Sequence, residues 1–559
     1  MLFLPDISMH SGVNRDVRRA PRLSIGRTVR TLIHAPRGHF YLTAGVFGLS
    51  IVFGGGTRSG FLGDAVLQLI SLPLLWTAIS ELLDCQEPSR LRRLLPYIAA
   101  VASLPLLQLV PLPPSIWTSL PGRAVIVETY GVLGYPLPAH PLTLSPTATW
   151  LSTLGLVPPI AIFLGMATLD YEERRVLSLV LIAMAVISVF LGLLQLAGGA
   201  NSALRFYVVT NTTEAVGFFA NRNHFAVLLY AAMLFSFCWL LDAAVSVASK
   251  ARRARLDSKP VIYFAGGAVA FIALLAGQLM ARSRAGLILS AVALMAGFAM
   301  AMRDRRARNG SHLSKVLLGT IAITIAICSQ FAFFRILDRF GPDIVSDVRI
   351  AIVRNTIAAA RAYMPFGSGL GTFVPVYQMF EKPADIAVTY VNHAHNDFLE
   401  LWLETGILGL ALLILCIVWL VRRAIAVWAT DDTGDDFRID RNLMRSAAIV
   451  AALLLVHSLV DYPLRTTADL SVFAFAAGLL VSPLEKFSAC SGGDVQKRQA
   501  KKSTFAQGVS RRHKPARQRE LWDGGGDWPA EWRDKRVRAE TEYGAHGGDV
   551  RFTELDDKK

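Results

Sequence analysis

Apolar runs of about 20 residues alternate with short polar segments along most of the chain. The runs lie at 40–56, 62–83, 95–112, 149–168, 176–197, 223–247, 261–280, 285–302, 316–334, 405–421, 446–462 and 469–484. Each is close to the roughly 17–25 residues that a helix needs to cross a bilayer, where every backbone polar group must be paired internally. The pattern therefore predicts an all-α, polytopic membrane protein with about twelve transmembrane helices.

Composition and charge support this interpretation. The chain is 53% hydrophobic and 18% charged, and its net charge is +15. The basic residues concentrate at the termini and in alternate loops, which indicates membrane topology rather than a nucleic-acid-binding face. With the N-terminus inside, the basic loops all become cytoplasmic; they contain Arg90, Arg92 and Arg93, then Arg174 and Arg175, Lys250, Arg252, Arg253 and Arg255, Arg303, Arg305, Arg306 and Arg308, and finally Arg422 and Arg423. Both termini are therefore predicted to be cytoplasmic.

Three regions follow from the same pattern: a basic cytoplasmic segment at 1–39, a membrane domain at 40–484 and a disordered basic tail at 485–559. The polar, mixed-charge composition of the tail predicts disorder. Its basic clusters leave open a contact with anionic lipid headgroups.

Two outer loops are long. Residues 113–148 are rich in proline, which predicts turns and extended pieces. Residues 335–404, before the tenth predicted helix, contain an amphipathic helix from Val348 to Met364 and a glycine-rich turn at 367–371. Long loops in compact domains are typically functional or disordered, and the aromatic, glycine and histidine content of 335–404 favours function.

Polar side chains gather at the outer ends of several predicted helices, where they are expected to converge on one cavity. They are Asn221, Arg222 and His224; Arg282 and Arg284; and, after the glycine turn, His393, His395, Asn396, Asp397, Glu400 and Glu404. Ionisable groups at membrane depth are costly, so such a cluster indicates a functional site. An arginine guanidinium suits phosphate oxygens, although an arginine at a helix end also snorkels to headgroups, the interpretation favoured for Arg282.

His395 is the candidate general base of this cluster, because a neutral imidazole can accept a proton from a hydroxyl near pH 7. Asn392 or Asn396 can cap the following helix. A zinc site formed by His393, His395 and His224 is the weaker alternative, because no carboxylate or cysteine spacing accompanies these histidines.

The order of these segments resembles the O-antigen ligase and O-antigen polymerase superfamily of bacterial inner-membrane enzymes. The resemblance rests on N-R-N-H-F-A, S-R-A-G, G-S-G-L-G-T-F, H-A-H-N-D-F-L-E and E-T-G-I-L-G, and is strongest from about 200 to 420. It implies glycan transfer at the periplasmic face from an undecaprenyl-diphosphate-linked donor to an acceptor hydroxyl, most simply that of lipid A–core. It also implies a metal-independent glycosyltransferase without a nucleotide or other cofactor.

Carried over by position, the resemblance makes His395 the base and Arg222 and Arg284 the diphosphate-binding residues. The supporting residues are Asn221, His224, Arg282, His393, Asn396 and Glu400. The expected partners are the lipid-linked donor, a lipid A–core or growing-glycan acceptor, and membrane lipid. The alternatives left open are an O-antigen or exopolysaccharide polymerase, a protein O-oligosaccharyltransferase and a polysaccharide transporter. The sequence shows no convincing internal repeat, which is a feature typical of transporters, and this disfavours transport.

Overall fold

The computed structural model describes residues 37–58, 60–84, 92–252, 258–303, 344–386, 390–429 and 438–481. The predictions for residues 1–36, for the apolar run at 316–334 and for the tail at 485–559 lie outside these residues. The same holds for six of the basic-loop residues: Arg90, Arg253, Arg255, Arg305, Arg306 and Arg308.

The described chain is almost entirely helical. Its helices are α1 (Gly38–Phe53), α2 (Leu62–Asp84), α3 (Leu95–Gln108), α4 (Pro114–Trp117), α5 (Ala124–Leu133), α6 (Pro146–Gly155), α7 (Val157–Thr168), α8 (Tyr171–Ala197), α9 (Arg222–Arg252), α10 (Ser258–Ala281), α11 (Arg284–Arg303), α12 (Ile344–Ala362), α13 (Phe373–Phe380), α14 (Asp397–Ala429), α15 (Arg438–His457) and α16 (Thr467–Leu479). Short 3-10 turns lie at Arg92–Leu94, Pro383–Asp385 and Pro463–Arg465. The two-residue strands β1 (Pro111–Leu112) and β2 (His140–Pro141) pair antiparallel.

Seven helical segments among the described residues are long and apolar enough to cross a membrane. They are Leu62–Leu83, Pro146–Thr168, Tyr171–Ala197, Arg222–Val247, Ser258–Ala281, Arg284–Arg303 and Asp397–Ala429. This confirms the all-α, polytopic membrane fold. The predicted spans at α1, α3 and α16 are helices of 16, 14 and 13 residues, and α15 is more polar, so the total of about twelve stays a prediction.

Helix α9 is the centre of the bundle. Of its apolar window 94% is buried, compared with at most 50% for any other candidate span. A helix that is apolar on all sides belongs inside a bundle, and α8, α10, α11 and α15 pack around this one. Its first residue, Arg222, therefore lies at the centre of one end of the bundle.

Helix α14 begins at Asp397, eight residues before the apolar run that predicts a span at 405–421. The Asn396 side chain caps it: Oδ1 accepts a hydrogen bond from the Leu399 backbone N–H at 3.0 Å. The capping role expected of Asn392 or Asn396 is thus confirmed for Asn396. At Gly406 the backbone leaves helical geometry with a φ of 59°, and a Cβ there would lie 2.0 Å from the Pro365 carbonyl oxygen. Only glycine allows this approach.

The long loops contain more helix than their composition predicts. The amphipathic helix expected from Val348 is confirmed as α12, whose buried face packs with Phe373 of α13 and with Ala394. The expectation of only turns and extended pieces at 113–148 is wrong, because α5 forms there. The prolines flank the apolar segment of α5 rather than interrupting it, and Gly134 ends the helix in the left-handed conformation.

Candidate functional site

Three segments meet at one end of the bundle around the ring of Tyr462. They are the start of α9, the loop at 390–396 before α14, and the connection at 458–466 between α15 and α16. The ring centroid of Tyr462 lies 4.2 Å from that of His393, 4.8 Å from His224 and 5.0 Å from His395. Its hydroxyl accepts hydrogen bonds from the amides of Asn221 and Asn392 at 3.5 and 3.4 Å. Polar residues from three distant parts of the chain thus surround one aromatic ring; the wider prediction of one cavity that also includes Arg282 and Arg284 stays a prediction.

His395 is held by Asp461. Its Nδ1 lies 3.0 Å from Asp461 Oδ1, and the other carboxylate oxygen accepts a hydrogen bond from Asn223 Nδ2 at 2.5 Å. Burial opposes ionisation of Asp461, but the hydrogen bond to His395 and the electrostatic effect of the neighbouring histidines together outweigh burial and hold the pKa of this carboxyl well below its usual value. A carboxylate can only accept, so the His395 ring carries its proton on Nδ1.

The Nε2 atom of His395 is available to accept a proton. Within the described residues its Nε2 makes no hydrogen bond, and the side chain is 26% exposed. The backbone is left-handed, with a φ of 50°, a conformation that is uncommon for a residue other than glycine and recurs at functional sites. An imidazole fixed by a carboxylate at Nδ1 presents Nε2 as a proton acceptor.

His393 has a different protonation state. Its Nδ1 lies 2.9 Å from Glu400 Oε1 and its Nε2 lies 3.0 Å from the Thr57 carbonyl oxygen. Both partners are acceptors, so both ring nitrogens must carry protons and the ring is an imidazolium. Burial lowers the pKa of His393, but the charge and hydrogen bond of Glu400 outweigh it and raise the pKa above 6.5. Both ring nitrogens of His393 are therefore engaged, and His393 is a poorer candidate than His395 for accepting a proton.

This state predicts a loss of stability at alkaline pH. A histidine whose folded pKa is raised stabilises the protein fully below its unfolded pKa, and this contribution is lost as the pH rises through the folded pKa. Thermal unfolding of the purified protein should thus show the Tm falling above about pH 6.5. His393→Gln, which retains one donor, should remove this dependence; an unchanged pH profile in that variant would contradict the assignment.

Arg465 lies at the centre of a buried cluster of charges beneath the two histidines. Its Nη1 donates to Glu404 Oε2 at 2.6 Å, and its Nε lies 3.6 Å from Asp397 Oδ1 and 3.5 Å from Glu400 Oε1. These three carboxylates lie on one face of α14, because their spacing of three and four residues matches the helical repeat. Their side chains are at most 6% exposed.

The same carboxylates fasten the neighbouring segments. Glu400 Oε2 accepts from the Ala394 backbone N–H at 2.9 Å, and Asp397 Oδ2 accepts from Ser458 Oγ at 2.7 Å and from the Leu464 N–H at 3.1 Å. Glu404 Oε1 accepts from the Phe373 N–H at 3.2 Å. The cluster thus ties the histidine loop, α13 and the 458–466 connection to α14.

The three sequence-predicted arginines occupy different surroundings. Arg222 Nη1 lies 2.5 Å from Glu214 Oε1, a partner that the sequence did not indicate. Arg284 is exposed at the first residue of α11, and Arg282 is exposed with a φ of 52°. Helices α9 and α11 pack closely near their first turns, where a Cβ on Gly286 would lie 2.4 Å from that of Ala226. Arg222 and Arg284 therefore begin two adjacent helices at the same end of the bundle.

The supporting residues are distributed around this end. Asn221 Oδ1 accepts from the Asn223 N–H at 2.9 Å and caps α9. His224 is fully buried, and both of its ring nitrogens lack a hydrogen bond within the described part of the chain. Among the described ranges, no group of three or more histidine, cysteine, aspartate or glutamate side chains is arranged to hold a metal ion.

Sequence reasoning missed Glu214, Asp461, Tyr462 and Arg465. The predicted span at 446–462 included Asp461 and Tyr462, whereas α15 ends at His457 and both residues lie in the connection after it. A usable signal existed: D-Y-P-L-R is a polar connection between the last two apolar runs, on the same predicted outer side as the histidines.

Comparison with known proteins gives one family match. Residues 269–414 match the family described as O-antigen ligase, Wzy_C, which confirms the resemblance seen in the sequence. The matched segment contains Arg282, Arg284, His393 and His395, while Arg222 and Asp461 lie outside it. No curated protein matches the chain.

Proposed function

We propose that this chain, a membrane protein with an O-antigen ligase domain at residues 269–414, transfers a glycan from an undecaprenyl-diphosphate-linked donor to a hydroxyl of lipid A–core. The reaction takes place at the periplasmic face of the inner membrane, and both termini are cytoplasmic. The observation that carries the proposal is the His395–Asp461 pair, with its 3.0 Å contact, at the same bundle end as Arg222 and Arg284.

His395 acts as the general base. The acceptor hydroxyl gives its proton to Nε2 while its oxygen forms a bond to the anomeric carbon of the donor glycan. The bond from the anomeric carbon to the diphosphate oxygen breaks, and the undecaprenyl diphosphate leaves with the electron pair. Asp461 stabilises the imidazolium that forms, and a single displacement of this kind inverts the anomeric configuration.

Arg222 and Arg284 bind the diphosphate and stabilise the charge that develops as it leaves. The proposed transfer uses no metal or nucleotide because diphosphate is already a competent leaving group. His393 stays a cation and orients the loop that carries His395. Burial raises the pKa of Tyr462 well above its usual value, so its phenol remains neutral between the histidines.

In the proposed site, Glu214 competes with the donor diphosphate for the guanidinium of Arg222, so substitution of Glu214 should change the affinity for the donor. Glu214→Gln should lower the KM for the donor by about 3–10-fold, because the diphosphate no longer competes with a carboxylate for the guanidinium. Arg222→Ala should raise the same KM by about 10-fold or more. The test is steady-state kinetics at varied donor concentration; an unchanged donor KM in both variants would remove Arg222 from the donor site.

The glycan pattern of a deletion strain tests the proposed function. A strain without this protein should accumulate unattached polymer beside bare lipid A–core, and the native gene should restore the attached form. A single capped repeat in the deletion strain would instead identify a polymerase.

A further inference from the structure

A cavity of 520 Å³ lies at the end of the bundle opposite the histidines. Helix α14 begins beside His395 at Asp397 and runs for 33 residues, which is about 50 Å of helix, and the cavity lies near its far end. The other walls are the 3-10 turn at Arg92–Leu94, which leads into α3, and Val481, which follows α16. The basic loops at this end are those predicted to be cytoplasmic.

One face of α14 lines the cavity with apolar side chains and ends in a basic one. Leu415, Val418, Trp419 and Arg422 recur at the three- and four-residue spacing that keeps side chains on one side of a helix. Leu415 is 56% exposed and Val418 is 47% exposed. Trp419 is held by an edge-to-face contact with Phe163, with the ring centroids 6.3 Å apart. This face offers an aliphatic surface for an acyl chain and a cation for its headgroup.

Three arginines from two separate segments surround the polar end of the cavity. Arg93 belongs to the 3-10 turn, while Arg422 and Arg423 belong to α14. Arg423 Nε donates to the Leu480 carbonyl oxygen at 2.7 Å, which fixes this side chain against the end of α16. Arg93 and Arg422 are exposed and, within the described part of the chain, make no hydrogen bond or ion pair. Their donor groups are therefore accessible to a ligand.

The charge of the cavity selects the class of ligand. None of its lining residues among the described ranges is acidic, so the positive charge of the arginines is not neutralised there. Guanidinium groups suit phosphate oxygens, and a headgroup with a net negative charge is favoured over a zwitterionic one, whose amine the arginines repel. A single arginine at a helix end commonly extends to headgroups without a specific partner, but here three arginines from two segments face one concave surface.

We propose that this cavity binds an anionic glycerophospholipid of the adjacent leaflet, with its phosphate on Arg93 and Arg422 and an acyl chain along Leu415 and Val418. The lipid contacts both the turn before α3 and the end of α14, so it holds these two helices together. Its place at the far end of α14 separates it from the two substrates of the proposed transfer, which react at the histidine end. The inference does not depend on the proposed function.

The experiment measures binding of tail-labelled fluorescent phosphatidylglycerol to the purified full-length protein in non-ionic detergent. Arg93→Gln combined with Arg422→Gln should weaken binding by about 10-fold or more, because two cations that contact the phosphate are lost. Lys259→Gln combined with Arg303→Gln is the matched control. It removes the same charge at the same end of the bundle, at the start of α10 and the end of α11, but outside the cavity, and should change binding by less than about twofold.

A second pair of variants tests the shape of the cavity without changing its charge. Val418→Trp fills the cavity and should also weaken binding by about 10-fold. Val421→Trp is its control, because Val421 is 50% exposed on the same helix but does not line the cavity, and this variant should bind phosphatidylglycerol like the wild type. Both variants place an apolar group on a surface that is already exposed, so both should fold.

Several results would overturn the assignment. An equal loss of binding in the Lys259 and Arg303 control would indicate diffuse attraction by the net charge. Displacement of the probe by phosphatidylcholine or inorganic phosphate as effectively as by unlabelled phosphatidylglycerol would remove the specificity for an anionic lipid. Unchanged binding in both the double arginine variant and Val418→Trp would place the lipid elsewhere. Weaker binding of an undecaprenyl-diphosphate-linked glycan in the double arginine variant would assign the cavity to the donor instead.

Discussion

Asp461→Asn is expected to lower the rate of glycan transfer by about 10²–10⁴-fold, with the protein still folded and inserted. The carboxylate fixes the His395 proton on Nδ1 through a 3.0 Å contact, and in the proposed mechanism this leaves Nε2 to take the proton of the acceptor hydroxyl. An asparagine can present its NH₂ group to Nδ1, which forces the proton onto Nε2 and removes the base. The loss should appear in kcat with little change in either KM, because Asp461 is 1% exposed and is not expected to contact a substrate.

Asp385→Asn is the matched control for this substitution. Asp385 is also an ion-paired aspartate, bonded to Arg354 at 2.7 Å, but it lies in the 3-10 turn at Pro383–Asp385 and makes no hydrogen bond or ion pair with a histidine among the described residues. Exposed ion pairs contribute little, so the control should transfer at close to the wild-type rate. Near-normal kcat in Asp461→Asn would mean that His395 does not act through this pair.

Arg465→Gln is expected to destabilise the protein strongly, by about 3–5 kcal/mol, because it leaves three buried carboxylates without their shared cation. Glu404 loses its 2.6 Å ion pair, while Asp397 and Glu400 lose the nearby positive charge. The expected observation is a clear fall in Tm of the purified protein and a reduced yield of the inserted form. Arg465→Lys keeps the positive charge, so its Tm should lie between those of the wild type and Arg465→Gln.

A second substitution separates electrostatics from packing. Adding Glu404→Gln to Arg465→Gln removes one uncompensated carboxylate and should recover part of the lost Tm. Arg354→Gln is the control for loss of an arginine, since its side chain is 52% exposed and its ion pair is screened. If Arg465→Gln unfolds at the wild-type temperature, the charge cluster does not stabilise this end of the bundle.

The fold was largely predictable from hydropathy because lipid forces apolar, internally paired helices. Every apolar run that falls on described residues contains a helix. The prediction was wrong at two helices whose limits depend on capping, ion pairing and the position of prolines rather than on hydropathy. Helix α14 extends eight residues into a polar sequence because Asn396 caps it and Arg465 neutralises its carboxylates. Helix α5 forms in a proline-rich loop because the prolines lie outside its apolar segment.

Within the candidate site, the sequence indicated that some polar residues lie close together but not which residues pair. Polar residues at the ends of separate helices indicated a common cavity, and His395, His393 and Asn221 do gather at one end of the bundle. Which carboxylate contacts which histidine depends on how α14 and α15 pack. The spacing of residues in a single sequence does not determine this packing. Glu400 therefore proved to be the partner of His393, while Asp461, 66 residues after His395, is the partner of His395.

Reconstituted transfer is the most direct test of the central claim. Purified full-length protein, a labelled undecaprenyl-diphosphate-linked glycan and lipid A–core are combined, and labelled lipid A–core is measured for the wild type and for His395→Ala at equal amounts of folded protein. The wild type should form the product, and His395→Ala should form none while still binding both substrates. Transfer at the wild-type rate by His395→Ala would contradict the account.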